Sequence, residues 1–156
     1  MVIKTLEDLF YETLKDMYYV EKKLVRTLPK MAKKASSPAL KDAIEGHLSE
    51  TETHVERLDR VFGLIEKRAS AKKCEAMDGL ITEADDVAAE IDDKDTLDAA
   101  IISSAQTVEH YEIARYGTLC TWANELGFSE AAELLESSLE EEKNADAKLS
   151  GLAVNQ

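Results

Sequence analysis

The sequence predicts an all-α fold, a four-helix bundle with one or two shorter helices. Three observations favour it: the 156 residues include only six Gly and two Pro, hydrophobic residues make up 44% of the chain, and aromatic residues make up 6%. Few turn-forming residues leave most of the chain for long elements, and the prevailing Ala, Leu, Glu and Lys favour helices over strands. The length suits one domain, so we expect residues 1–156 to form a single bundle.

The first helix is predicted to begin after Thr5, because Thr at an N-cap followed three residues later by the acid Asp8 is typical of a capping box. Apolar residues then recur at helical spacing, at Leu9, Leu14, Met17, Leu24, Leu28 and Met31. We expect this helix to cover about residues 6 to 35. Pro29 lies inside it and is expected to kink the helix or divide it in two.

The second helix is predicted to follow Ser36 and Ser37, because Pro38 suits the first helical position after a capping serine. Its inward stripe is marked by Leu40, Ile44, Leu48, Thr51, Val55, Leu58, Phe62 and Ile65. We expect this helix to cover about residues 38 to 67.

A basic connection leads from the second helix into a shorter amphipathic helix over about residues 74 to 90. A third long helix is predicted over about residues 95 to 125, ending before Gly127, which suits a left-handed C-cap. Ser129 is then expected to cap a fourth helix over about residues 129 to 153. Two helical hairpins joined by a long crossover form the topology of ferritin-like bundles.

Acidic residues fall on the inward faces of the long helices, where leucine would be expected. Glu21 lies inside the apolar stripe of the first helix, and Glu142 occupies an inward position of the fourth. Glu109 and Glu112 both lie inside the stripe of the third helix, three residues apart. On the second helix, His47, Glu50 and His54 follow the edge of the stripe, and this row is expected to turn toward a shared site.

A buried carboxylate is costly without a positive partner, and few Lys or Arg fall on these inward stripes. Divalent metal ions bound by carboxylate oxygens and occasional imidazoles are the expected compensation. Glu21 and Glu50 are 29 residues apart, and Glu112 and Glu142 are 30 apart. At about 1.5 Å of rise per residue, each hairpin can therefore bring its two acids to the same depth.

Simpler interpretations stay open for individual residues. The run at residues 140–142 is also typical of a solvated acidic face, and His47 and His54 could be ordinary polar residues at a helix edge. His110 points away from the inward face of Glu109 and is expected to be external.

Charge, hydropathy and cysteine spacing exclude several classes of function. The net charge of −13 opposes binding to nucleic acid or anionic lipid. No stretch reaches about 18 consecutive apolar residues, and the first residues lack the apolar block of a signal peptide, so a cytoplasmic protein is expected. Cys74 and Cys120 lie 46 residues apart and are expected to be free thiols, since no Cys-x-x-Cys pair is present for a zinc or rubredoxin-type centre.

Four segments carry a family resemblance: EKKL at 21–24, HLSET at 47–51, VEHYEIA at 108–114 with YGTL at 116–119, and LEEEK at 139–143. Together they resemble the YciE/YciF family of bacterial ferritin-like proteins over nearly the whole chain. The resemblance implies a bundle with shorter crossing helices, a homodimer, a metal site similar to that of rubrerythrin, and an association with bacterial stress responses. Because rubrerythrins use two glutamates three residues apart, it also favours counting both Glu109 and Glu112 as ligands.

The predicted centre holds two metal ions, with iron favoured and manganese or zinc as alternatives. Its predicted ligands are Glu21, Glu50, His54, Glu109, Glu112 and Glu142. Residues expected just outside the ligands are His47, Asp146, Tyr18 and Tyr116, with the two tyrosines equally open to a role as plain core aromatics. Ferritin-like sites usually place a histidine three or four residues after the glutamates of the second and fourth helices; here Asp146 stands in that place after Glu142, so the site is richer in carboxylate.

Two functions follow from this prediction. The first is a di-iron protein of the ferroxidase or peroxidase type, which handles iron and a small oxidant, peroxide or oxygen, during stress. The second is a non-enzymatic dimeric stress or interaction protein in which the metal site is vestigial.

Overall fold

The computed structural model describes residues 2–154, and the regular structure in this range consists of five helices and no strand. The helices are α1 (Leu6–Lys34), α2 (Pro38–Leu64), α3 (Glu75–Ala89), α4 (Lys94–Glu125) and α5 (Ser129–Val154). Four of them are long and form the bundle, while α3 lies in the crossover. The predicted all-α bundle is confirmed.

The start of α1 follows the predicted capping box. The Thr5 hydroxyl accepts a hydrogen bond from the Asp8 backbone N–H at 3.0 Å, and the Asp8 carboxylate accepts one from the Thr5 N–H at 3.2 Å. The prediction that Pro29 divides the helix is wrong, because α1 runs unbroken to Lys34. Leu28 and Ala32 are buried on either side of Pro29, so packing on the core offsets the backbone hydrogen bond that proline cannot donate.

The end of α2 comes three residues earlier than predicted, at Leu64. Glu66 takes a left-handed conformation with φ of 56°. The Lys67 N–H donates a hydrogen bond to the Phe62 carbonyl at 2.9 Å, and the Glu66 N–H donates one to the Gly63 carbonyl at 3.1 Å. These two bonds form a Schellman motif, in which glycine usually occupies the left-handed position. Because glutamate stands at this position instead, the sequence carried no obvious stop signal.

The end of α4 uses the same motif with the expected residue. Gly127 has φ of 80°, and the Phe128 N–H reaches the Ala123 carbonyl at 2.8 Å. Ser129 is the first residue of α5 rather than its cap. The loop is so tight that α4 and α5 fold back on each other as an antiparallel hairpin.

The bundle consists of two hairpins, α1 with α2 and α4 with α5, each closed by a loop of three residues. Contacts of α2 with α5 and of α1 with α4 complete the ring. The crossover helix α3 packs on α4 and is tied to α1, because Asp78 accepts hydrogen bonds from Tyr19 at 2.8 Å and from Lys23 at 2.6 Å. None of the five described helices is both long and apolar enough to cross a membrane.

The core between the helices is aliphatic and aromatic at both ends and polar in the middle. Its largest fully buried apolar side chains include Phe10, Leu14, Met17, Leu24, Leu40, Leu58, Phe62, Leu119 and Leu135. Cys74 and Cys120 are buried free thiols, as predicted. The polar middle layer is therefore enclosed by hydrocarbon above and below.

Candidate metal centre

Six ionisable side chains from all four bundle helices meet in the polar middle layer. They are Glu21 of α1, His47 and His54 of α2, Glu109 and Glu112 of α4, and Glu142 of α5. Four of the six are 0% exposed, Glu109 is 1% exposed and His47 is 8% exposed. Because ionised carboxylates are costly to bury, such a cluster requires protons or cations to balance its charge.

The two histidines enter the cluster because they share the inward face of α2. At about 100° per residue, His54 lies only about 20° from His47 around the helix, and Thr51 lies between adjacent turns of the same face. Thr51 donates its hydroxyl to the His47 carbonyl at 2.8 Å, so it adds no polar atom to the cluster. Glu50 lies about 60° from His47 on the side away from Thr51, and it is only half-buried.

One group of ligand atoms forms around His54. Its Nδ1 lies 2.9 Å from Glu21 Oε2 and 2.9 Å from Glu142 Oε1. The three side chains come from α1, α2 and α5, and each offers an atom within 4.8 Å of the others. This spacing is compact enough for a single ion.

A second group forms around His47. Its Nε2 lies 2.6 Å from Glu109 Oε1 and 3.9 Å from Glu142 Oε2, and Glu112 completes the group. The close contact with Glu109 lacks hydrogen-bond alignment. Two ligands of one ion, each about 2.1 Å from it, lie roughly 3 Å apart without pointing at each other, which suits this geometry.

Glu142 belongs to both groups. Its Oε1 faces His54 and its Oε2 faces His47, so one carboxylate spans the two ligand sets. The two groups of ligand atoms therefore overlap at Glu142, and either of them could hold a metal ion.

Several oxygen atoms of the cluster have no aligned hydrogen-bond donor among residues 2–154. They are Glu21 Oε1, Glu109 Oε2, both oxygens of Glu112 and both oxygens of Glu142. Buried polar atoms in native proteins nearly always find a partner, and an ion or water is the usual explanation where protein atoms do not supply one. The donor set, hard carboxylates with two imidazoles, fits iron, manganese or zinc.

Burial and mutual contact shift the pKa values in the cluster. Burial raises the pKa of Glu21, and burial together with the neighbouring Glu142 raises the pKa of Glu109 to about 8. Burial lowers the pKa of the imidazoles, but the facing carboxylates outweigh it and raise the pKa of His47 to about 9 and that of His54 to about 11. Without a bound cation, two imidazolium ions thus face four carboxyl groups in this cluster.

The outer nitrogen of His54 is held by a further ion pair. Glu141 Oε1 lies 2.9 Å from His54 Nε2. The Arg57 guanidinium donates two hydrogen bonds, of 2.8 and 3.0 Å, to the Glu141 carboxylate. Arg57 lowers the pKa of Glu141, so Glu141 stays ionised and Nε2 must carry the proton. If a metal ion took the place of the Nδ1 proton, the lone pair of Nδ1 would face the cluster, as in the carboxylate–histidine–metal arrangement of metalloproteins.

The sequence prediction missed this pair. Glu141 lies in the acidic run that reads as a solvated face, and Arg57 lies outside the inward stripe. The one local signal is that Arg57 follows His54 by three residues and therefore lies on the same side of α2. That it meets Glu141 depends on how α2 packs against α5.

The remaining predicted residues lie outside the cluster, at varying distance. Glu50 groups with His54 and Glu141 on the outer margin. Tyr116 is fully buried, contacts the His54 ring edge-on at 6.0 Å, and its hydroxyl has no aligned partner among the described residues. Tyr18 instead donates to Asp59 at 2.6 Å.

Asp146 does not reach the cluster. Its carboxylate faces Gln106 at 3.2 Å and the exposed His110 at 3.2 Å, on the outer seam between α4 and α5. His110 is thus external, as the sequence indicated.

Residues 5–156 match the model of a protein family described as a domain of unknown function, DUF892. The chain belongs to this family. It is 47% identical to protein YciF of Escherichia coli K12 over 159 residues, covering 99% of this chain and 94% of YciF. The predicted family resemblance is therefore confirmed.

Solved structures agree with the fold. The crystal structure of the E. coli stress protein YciF matches with a TM-score of 0.94 at 47% identity, covering 98% of this chain and 97% of YciF. YcfI from Rhodopseudomonas palustris matches with a TM-score of 0.93 at 49% identity, covering 95% of this chain and 94% of YcfI. A protein from Xanthomonas campestris shares the fold, with a TM-score of 0.79 at 23% identity over 97% of this chain and 93% of that one.

Proposed function

We propose that this protein holds two metal ions, with iron favoured, in the buried glutamate and histidine cluster, and that it oxidises ferrous iron with a small oxidant during stress. The observation that carries the proposal is Glu142, whose two oxygens face two separate ligand groups while lacking aligned hydrogen-bond donors. The stress role rests on the likeness to E. coli YciF, which is described as a stress protein.

The ligands divide into two sets that share Glu142. One ion would take Glu21, Nδ1 of His54 and Glu142. The other would take His47, Glu109, Glu112 and Glu142. We thus place His47 among the ligands and Glu50 at the margin, since His47 is buried in the cluster and Glu50 is not.

Charge balance favours divalent ions in this position. Four glutamates carry four negative charges when ionised, and two divalent cations carry four positive ones. Iron bound there would supply the electrons: a ferrous pair would furnish the two that hydrogen peroxide needs, with two protons, to become two waters. Anionic oxygen ligands favour the resulting ferric state.

The protein residues around the ligands would hold and orient them. Arg57 fixes Glu141, and Glu141 fixes the ring of His54 with its proton on the outer nitrogen. Hydrocarbon above and below the cluster keeps bulk water away, which strengthens each electrostatic contact inside. The homodimer that the family resemblance implies is part of the proposal.

Replacement of the shared ligand tests the metal site. Glu142→Gln should abolish binding of both ions, because each set loses a charged oxygen, whereas Glu140→Gln on the exposed neighbour should leave binding unchanged. Metal content is measured by elemental analysis after purification without chelators and after anaerobic titration with ferrous iron. If Glu142→Gln still binds two equivalents of iron, this site assignment is wrong.

A second candidate is a non-enzymatic stress protein that keeps the bundle without metal chemistry. The observation that favours it is the contact of each histidine with carboxylates, which lets the cluster balance part of its charge by protonation alone. YcfI of R. palustris, which is described as a candidate structural protein, is consistent with such a role. Stopped-flow mixing of iron-loaded protein with peroxide or oxygen separates the two, since this candidate requires that the iron is not oxidised faster than free iron.

A further inference from the structure

A small apolar cavity leads from the surface to the buried glutamate and histidine cluster. Its volume is about 50 Å³, and its inner end is formed by His47 and Glu109. Aliphatic side chains from all four bundle helices form its walls, among them Leu28, Ile44, Ala105, Val108 and Leu149. The cavity therefore touches the second ligand group and not the first.

The mouth of the cavity lies between α2 and α5. Exposed Asn144 and Lys148 and half-buried Glu50 belong to its lining, while the aliphatic residues deeper in are buried. Ala43 and Ala145 line the cavity there, and their small side chains leave the opening unfilled. The polar groups thus lie at the surface and at the cluster, with hydrocarbon between them.

We propose that this cavity is the entry route and holding site for molecular oxygen, the oxidant that the metal centre uses. The inference rests on the proposed function, and it selects oxygen from the two oxidants named there. A cavity of about 50 Å³ has room for a guest of two or three heavy atoms, since one water needs roughly 10–15 Å³ of such volume. A larger organic substrate would not fit.

The walls favour a neutral apolar guest over peroxide. Hydrogen peroxide would give up its hydrogen bonds to water along the aliphatic part of the route, and an unpaired polar group in such surroundings costs about 1–3 kcal/mol. Molecular oxygen has no hydrogen bonds to lose.

The electron balance of the step is simple. Two ferrous ions give one electron each to one oxygen molecule, which takes up two protons to form hydrogen peroxide, while both ions become ferric. No further reductant is needed for this single turnover. The peroxide formed can leave, or it can oxidise a second pair of ferrous ions to give two waters.

The experiment compares two alanine-to-leucine substitutions on the same helix. Ala145 lines the cavity, whereas Ala147 is exposed and does not line it. Ala145→Leu should fill the route, and Ala147→Leu is the matched control. Xenon, an apolar atom of suitable size, serves as the probe for the metal-free protein, by ¹²⁹Xe NMR and by diffraction from xenon-pressurised crystals.

We expect one xenon site in the cavity of the unmodified protein and of Ala147→Leu, and none in Ala145→Leu. After anaerobic loading with ferrous iron, Ala145→Leu should bind the same amount of iron but react with oxygen about an order of magnitude more slowly. Its reaction with peroxide should change little. Absence of xenon from the unmodified protein, or an unchanged rate with oxygen, overturns the inference.

The two failures are distinguishable. If peroxide and oxygen slow equally in Ala145→Leu, the route is not selective for oxygen and the inference is overturned. If neither the unmodified protein nor any variant binds iron, the proposed function is wrong, and the inference that oxygen reaches a metal centre through this cavity is wrong with it. Xenon binding in the metal-free protein reports on the apolar guest site independently of either iron assay.

Discussion

At the scale of single residues, the chemistry depends on which atoms of each side chain face inward. Glu142 turns one oxygen toward each histidine, and His54 turns Nδ1 toward Glu21 and Glu142. Nothing in the His54 ring itself selects this orientation. Glu141 selects it, because an ionised carboxylate held by Arg57 accepts the proton of the outer nitrogen.

Loss of Arg57 should therefore weaken metal binding without abolishing it. Arg57→Met frees Glu141 and lets the His54 ring reorient, and loss of such outer contacts typically costs about 10–100-fold in metal affinity. Arg57→Lys should bind metal more tightly than Arg57→Met but less tightly than the unmodified protein, since an ammonium group cannot make the paired hydrogen bonds that a guanidinium makes to a carboxylate. Anaerobic titration with ferrous iron measures the effect, and Arg60→Met on the exposed face of α2 is the control. An unchanged affinity in Arg57→Met would contradict a positioning role.

At the scale of helices, the ends are fixed by local backbone chemistry. The two Schellman motifs allow the cost of a left-handed residue to be compared between glutamate and glycine in one chain. Gly127 takes its left-handed conformation without steric cost, whereas Glu66 takes a similar one with a Cβ atom. A residue other than glycine in this region costs about 1–2 kcal/mol. The α2 end therefore stores strain that the α4 end does not.

Glu66→Gly should stabilise the protein. The relieved strain exceeds the added freedom of the unfolded chain, which leaves about 0.5–1 kcal/mol of net stabilisation and raises the melting temperature by about 1–4 °C for a chain of this size. Gly127→Ala, at φ of 80°, should lower the melting temperature instead. Thermal unfolding of both variants checks the pair, and a lower melting temperature for Glu66→Gly would show that its side chain contributes more than its backbone costs.

At the scale of the whole molecule, the bundle buries carboxyl groups in its core whose oxygens its own donors satisfy only in part. Both oxygens of Glu112 lack an aligned donor among residues 2–154, and the side chain is 0% exposed. An apolar residue of similar size would fill that space at lower cost in the metal-free protein. The core thus gives up stability at the position where function is proposed.

Glu112→Met should consequently have opposite effects on the two forms of the protein. In the metal-free form it should raise the melting temperature, because it removes a buried carboxyl group without opening a cavity. With iron present, the unmodified protein should become the more stable of the two, since a ligand at 100 times its Kd stabilises by about 2.7 kcal/mol. Differential scanning calorimetry with and without ferrous iron measures both effects. A destabilised metal-free Glu112→Met would indicate that Glu112 has a structural role instead.

Much of the fold was predictable because it depends on local signals. The capping box at Thr5 and the glycine at Gly127 mark helix ends, and apolar periodicity marks the inward faces. The sequence also indicated that Glu21, Glu109, Glu112 and Glu142 point into the core, and all four are buried. The division of α1 considered at Pro29 and the predicted end of α2 were wrong, because packing on the core and a left-handed glutamate overrode the local preference.

The all-α class, the number of long helices, the family, the inward acids and the ligand candidate His54 could all be predicted from the amino-acid sequence, since each follows from spacing along one helix or from motif likeness. The packing of the helices brings His47 into the cluster and leaves Glu50 at its margin. It also places Glu141 and Arg57 against His54 and makes Glu142 common to both ligand groups. Periodicity fixes the angles between residues on a helix. It does not fix how far each helix is rotated against its neighbours, and that rotation decides which edge residues meet.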